Sequence, residues 1–186
     1  MTENNDPQPG YLELPAEIAQ VIGRIASDWA ALEYTINQMI WELAGTAPAL
    51  GACMTAQIPG LDGRLRALLS LMRLRQMDKA LITKVNKFGE QAHGPTGVRN
   101  RAVHDPWYLR RDRSGFGRVQ VTANKRLVFE ALPIPMVELH AEHAKIKECA
   151  RRLAQLADEI QAALPSLPEI PESALHPIKP VHRTAT

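Results

Sequence analysis

From Leu14 to Leu43 the apolar residues fall at Leu14, Ile18, Val21, Ile22, Ile25, Trp29, Leu32, Ile36, Met39, Ile40 and Leu43. Steps of three and four kept up for about eight turns describe one amphipathic helix. Thirty residues rising 1.5 Å each make a rod of ~45 Å, longer than a compact domain of this size needs. Such a rod must bury its apolar stripe along its whole length, against other helices, a second subunit or both. Pro15 suits the first turn, and Gly45 stands where a C-terminal cap belongs.

The rest of the pattern supplies partners for that rod. A broken stretch, residues 46–60, holds Pro48, Gly51 and Pro59 and room for one short helix around Ala49–Thr55. Leu61–Arg75 reads as a helix, with Leu65, Leu68, Leu69 and Met72 on its apolar side. Asp78 opens another, carried by Leu81, Ile82, Val85 and Phe88 and expected to break at Gly94-Pro95-Thr96-Gly97. Val98–His104 then follows as a short helical piece that Asp105-Pro106 must end. Trp107–Leu109, Val119–Thr122 and Arg126–Leu132 look like short strands of a small β-hairpin inserted at about residues 107–132. After Pro133 and Pro135 the helical spacing returns from Met136 to Leu164. The expected fold is therefore mainly all-α: an up-and-down bundle of about four main helices over residues 14–164, with one β insertion. Residues 1–13 read as a flexible tail, and 165–186, with five prolines, as a disordered one.

A chain of 186 residues can build one core without staples. Cys53 and Cys149 form no C-x-x-C pair, so neither a disulfide framework nor a zinc site is expected, and the natural compartment is reducing. The first residues lack a signal-peptide pattern, and no run of about 18 apolar residues exists, so the reading is cytoplasmic, with no membrane partner.

The net charge of +2 hides a division along the chain. Residues 1–60 sum to −6, residues 61–126 to +10 and residues 127–186 to −2. A concentrated positive field draws polyanions. Alternatively, the same arginines pair with acids on flanking helices, and charge alone leaves both readings open.

Inside the basic third lies Arg99-Asn100-Arg101-Ala102-Val103-His104. Residues four apart share a helix face, which aligns Asn100 with His104, and the long Arg99 side chain can swing to the same patch. Arg101 and Asp105, also four apart, can pair. A histidine that titrates near neutral pH, a permanently charged forked arginine and an amide suit phosphodiester chemistry. RNA can be cut without a metal if its 2′-OH attacks the adjacent phosphate; His104 then moves protons and Arg99 stabilises the developing charge. A short polar turn with surface charges is the plainer alternative.

The form R-N-x-x-x-H resembles the motif of the HEPN superfamily (higher eukaryotes and prokaryotes nucleotide-binding), and Trp29-Ala30-Ala31-Leu32-Glu33 is similar to a stretch in the first helix of such domains. The resemblance implies an α-helical, metal-independent endoribonuclease without cofactor, a homodimer in which two copies of the motif meet. Arg99 and His104 would be catalytic, with Asn100 in support. Toxins and defence components, with an inhibitor or antitoxin protein as partner, belong to the same likeness. The toxin subgroup paired with nucleotidyltransferase antitoxins has tyrosine two residues after the histidine; here Pro106 stands there. Other HEPN-like domains bind RNA or proteins without cutting, and that is the alternative function.

Around the motif, Arg101, Trp107, Tyr108, Arg110, Arg111 and His93 are the candidate RNA contacts. Basic residues of the insertion (Arg110, Arg111, Arg113, Arg118, Lys125, Arg126) can hold phosphates while Trp107 or Tyr108 stacks a base, or can simply keep a hairpin soluble. His140 and His143 form an H-x-x-H without a third ligand, and His143 falls on the apolar stripe, so it is read as structural rather than metal-binding. Trp29 and Trp41 are expected in the core.

Overall fold

A computed structural model describes residues 14–109, 115–122 and 128–166. The N-terminal tail 1–13, Arg110, Arg111, Arg113, Lys125, Arg126 and residues 167–186 lie outside the described residues. Helix α1 spans Ala16–Ala44, α2 Pro48–Thr55, α3 Gly60–Leu74, α4 Lys79–His104 and α5 Met136–Ala163, and a single 3-10 turn follows at Leu164–Ser166. Strands β1 (Trp107–Leu109), β2 (Phe116–Thr122) and β3 (Val128–Pro133) lie between α4 and α5. The fold is thus mainly helical with a small β insertion. No described helix is long and apolar enough to cross a membrane.

The α1 stripe is buried as its spacing requires. Ile18, Val21, Ile25, Trp29, Leu32, Ile36, Met39, Ile40, Trp41 and Leu43 all lie in the core. Helix α1 packs along α3 and α5, and α4 closes the square against the same two helices. Going round the bundle, the order is α1, α3, α4, α5. Gly45 ends α1 in the left-handed conformation (φ 66°), and Thr46 N–H bonds back to Trp41 O. Glycine is the residue that adopts that backbone without a Cβ penalty.

Helix α2 docks on the end of α1 through Trp41. The indole Nε1–H donates to Thr55 Oγ1 at 3.1 Å, and that hydroxyl donates to Gly51 O. Gly51 lies so close to the indole that an added Cβ would stand 2.4 Å from the ring.

The expected break at Gly94–Gly97 does not occur: α4 runs unbroken through Pro95 to His104. Its core-facing positions explain this. Leu81, Val85, Phe88, Ala92, Val98 and Ala102 are buried, and half-buried Pro95 fills the step between the last two groups. Burial along this continuous stripe outweighs the hydrogen bond that proline cannot donate to residue 91. Thr96 Oγ1, bonding to Ala92 O at 2.7 Å, adds a local tie. Asp78 caps the start through Ala80 N–H, and Asp105, extended before Pro106, ends the helix.

The insertion is a three-stranded antiparallel meander in the order β1-β2-β3, its strands falling on the three segments expected from the sequence. Trp107 pairs with Arg118, and Arg118 with Leu132, so β2 is central. Phe116 O accepts from Ile134 N–H, which leads β3 straight into α5.

Replacing Gly51 by Ala is expected to force Trp41 off its position and to cost about 1–3 kcal/mol, the usual range for overpacking. Urea unfolding of the variant measures it; an unchanged midpoint would show that α2 simply moves aside.

Candidate active site

The last turns of α4 bury one side and expose the other. Val98 and Ala102 point into the bundle, whereas Asn100 and His104, four apart, face solvent. Arg99 starts from a half-buried position between these sides and reaches round. Its Nη1 donates to Asn100 Oδ1 at 3.0 Å and meets His104 Nε2 at 3.1 Å. Arginine has no acceptor, so as a hydrogen bond this contact requires Nε2 of His104 to offer its lone pair. Both N–H bonds of Nη1 are thereby used, while those of Nη2 reach no described residue. Arg99 Nε is buried and has no hydrogen-bond partner among the described residues. The three side chains singled out from the motif therefore meet, around the guanidinium.

The outlying candidates are arranged differently. Arg101 does not pair with Asp105; its guanidinium folds back over Gly97, where an added Cβ would stand 3.1 Å from Nη1. Trp107 donates its indole N–H to Ala102 O at 2.9 Å and leans on Phe116 with ring centroids 6.1 Å apart. It closes the end of α4 and is half-buried. Tyr108 lies across Gly117, whose missing side chain makes room for the ring. His93 is exposed two turns before Asn100, its Nδ1 3.9 Å from Asp62 on α3. Arg110 and Arg111 are outside the described residues.

One element escaped the sequence reading altogether. Arg118, grouped there with the surface arginines of the insertion, is only 4% exposed. Its Nη1 is 3.3 Å from Glu142 Oε2 on α5, and its Nε 3.8 Å from Asp105 Oδ2. The Asp105 contact is ionic only: Asp105 Oδ2 and Arg118 Nε are both buried, and neither has a hydrogen-bond partner among the described residues. The cluster ties sheet, α5 and the residue after His104 together. Nothing in the local sequence distinguishes Arg118 from its neighbours; alternation puts it on the inner side of β2, but only the docking of α5 brings Glu142 there. His143, read as structural, is bonded through Nε2 to Asp28 Oδ2 at 2.7 Å, which joins α5 to α1.

A cavity of about 460 Å³ opens between α4 and α5, floored by Phe88, Ala92, Pro95 and Cys149. Burial pushes the Cys149 thiol from its ordinary 9.0 up to about 11. Cys53 is exposed. Among the described residues, no three His, Cys, Asp or Glu side chains are grouped so as to hold a metal ion.

The chain matches no protein-family model, no curated protein and no solved structure.

Removing Arg118 as Arg118→Ala strands Glu142 in the interior and is expected to cost about 3–5 kcal/mol. The double variant Arg118→Met/Glu142→Leu should recover most of it, and equal losses for both in urea titrations would show that packing, not charge, is decisive. For Cys149 the sign follows from its raised value. The unfolded thiol ionises first, so this contribution to stability is full below about pH 9 and is lost as pH rises toward about 11. Comparing wild type with Cys149→Ala across that window should show the wild-type stability falling more steeply.

Proposed function

We propose that the protein is a metal-independent endoribonuclease of HEPN type, acting as a homodimer whose composite site joins two copies of Arg99 and His104. The contact that carries this reading is Arg99 Nη1 to His104 Nε2 at 3.1 Å, with Asn100 on the same Nη1. It sets a proton acceptor beside a permanent cation on an exposed helix face. The spare N–H bonds of Nη2 suit a phosphate oxygen.

The chemistry follows from the groups present. A phosphodiester entering the patch takes over the guanidinium and so releases the Nε2 lone pair of His104. That nitrogen accepts the 2′-OH proton as the 2′ oxygen attacks phosphorus. The bond from phosphorus to the 5′ oxygen breaks, and a second, protonated His104 gives its proton to the leaving oxygen. A 2′,3′-cyclic phosphate and a 5′-OH result. One imidazole cannot serve both sides of the phosphorus at once, which is why a two-fold axis beside the motif is part of the proposal. Arg99 neutralises charge on the non-bridging oxygens. DNA, without a 2′-OH, is not a substrate. The two widely separated free cysteines, Cys53 and Cys149, suit a reducing cytoplasm. The motif's likeness extends the reading to a toxin or defence role under an inhibitor protein.

One observation favours a second reading. Asn100 and His104 are exposed and stand outside the cavity between α4 and α5. A single chain thus offers a binding face rather than a cleft, as an RNA-binding module without cleavage would.

Incubation of structured and single-stranded RNA with excess EDTA separates the two. Cleavage leaving cyclic-phosphate ends, reduced about 10²–10⁴-fold in His104→Ala and in Arg99→Ala, is expected. Light scattering should give the mass of a dimer. Identical cutting by His104→Ala would mean a contaminant and sink the proposal, and retention of RNA without products would favour the binding module.

A further inference from the structure

Two helices of the bundle carry its surplus of positive charge. Helices α3 and α4 hold eight basic and two acidic residues, whereas α1 and α5 hold five basic and nine acidic ones. Because α3 and α4 are neighbours, as are α1 and α5, the molecule has a basic face and an acidic face. Several cations on the basic face are already engaged. Arg64 turns to Asn37 and Glu33 of α1, and Lys84 to Glu159 of α5. Arg66, Arg73, Lys79 and Lys87 are exposed and, among the described residues, pair with no acid.

These residues form a track that leads to the motif. Asp62, Arg66 and Arg73 share one face of α3 by their spacing of four and seven. Asp62 lies 3.9 Å from His93, which identifies that face as the one turned toward α4. On α4, Lys79, Asn86, Glu90, His93, Asn100 and His104 share the adjoining face by steps of seven, four, three, seven and four, with Asn86 Nδ2 donating to Glu90 Oε1 at 3.1 Å. Helix α4 is 26 residues long, so the edge from Lys79 to His104 measures about 38 Å. No aromatic side chain stands on it. Trp107 and Tyr108 are half-buried at its far end, the indole N–H already spent on Ala102 O.

Proteins that hold single-stranded nucleic acid combine cations with aromatic platforms on which bases stack. An elongated polar face with exposed cations (Arg66, Arg73, Lys79 and Lys87) but no such platform suits a regular phosphate backbone instead, as double-helical RNA presents. We propose that the α3–α4 face docks the phosphate backbone of a double-helical RNA segment and so leads an adjoining unpaired linkage to His104. The inference rests on the ribonuclease reading for its end point, but the docking surface stands on residues that the chemistry does not use.

The test uses the full chain and two labelled RNAs of equal length, a hairpin with an unpaired extension and an unstructured strand. Fluorescence anisotropy is followed as salt is raised. The hairpin should bind about tenfold tighter. Arg66→Glu/Arg73→Glu should weaken hairpin binding at least about tenfold and flatten the plot of log affinity against log salt by about two units. Arg24→Glu/Lys147→Glu, the same change in net charge placed on exposed sites of the acidic face, should shift affinity less than about threefold. Equal losses in the two double variants, or an unstructured strand bound as tightly as the hairpin, would overturn the docking surface. Cleavage by His104→Ala keeps the two readings apart. If that variant stops cutting while Arg66→Glu/Arg73→Glu binds like wild type, the active site stands and the track falls. If it cuts like wild type while the track variant fails to bind, the reverse holds.

Discussion

Ten apolar side chains along the 29 residues of α1 are buried, and the other long helices are arranged by the need to cover them. Helices α3 and α5 lie along two sides of that stripe, and α4 completes the ring. Trp29, 2% exposed, sits at the middle of the stripe with its indole N–H satisfied by Glu33 one turn on. A helix of this length is not stable in water through propensity alone; its apolar face has to be packed. The same requirement accounts for α4, where a buried stripe carries the helix across a proline that local preferences would place at a break.

That unbroken passage through Pro95 matters for the site. Had α4 stopped at Gly94, a short helix of seven residues would have had to hold Arg99, Asn100 and His104 by itself. As it is, the motif rides on the last turns of a helix anchored by Leu81, Val85, Phe88 and Ala92. Its far end is fixed three ways: Trp107 binds Ala102 O, Asp105 leaves the helix toward Arg118, and Arg118 is held by Glu142. Arg99 can then cross from a half-buried origin to an exposed face. A long side chain with donors on three nitrogens can do this, whereas a shorter cation could not meet Asn100 and His104 together.

Charge follows the same logic at larger scale. The surplus of basic residues between 61 and 126 becomes directional only because α3 and α4 are adjacent and α1 and α5 lie behind them. Some of those cations are then drawn off: Arg64 to α1, Lys84 to α5, Arg118 into the interior. What remains exposed is a smaller and more ordered set than composition suggested.

Periodicity in the sequence determined the long helices, the β insertion and the core tryptophans, because burial of a stripe leaves a spacing that can be read one residue at a time. It also aligned Asn100 with His104, since a helix face is a local property. Tertiary structure alone decided the continuity of α4, the burial of Arg118 and the cations left unpaired. Each of these depends on which distant segment arrives beside it. Asp62 with His93, Arg118 with Glu142 and Asp28 with His143 are separated by 31, 24 and 115 residues. Electrostatic partners carry no period along the chain, so only the packed helices bring them together.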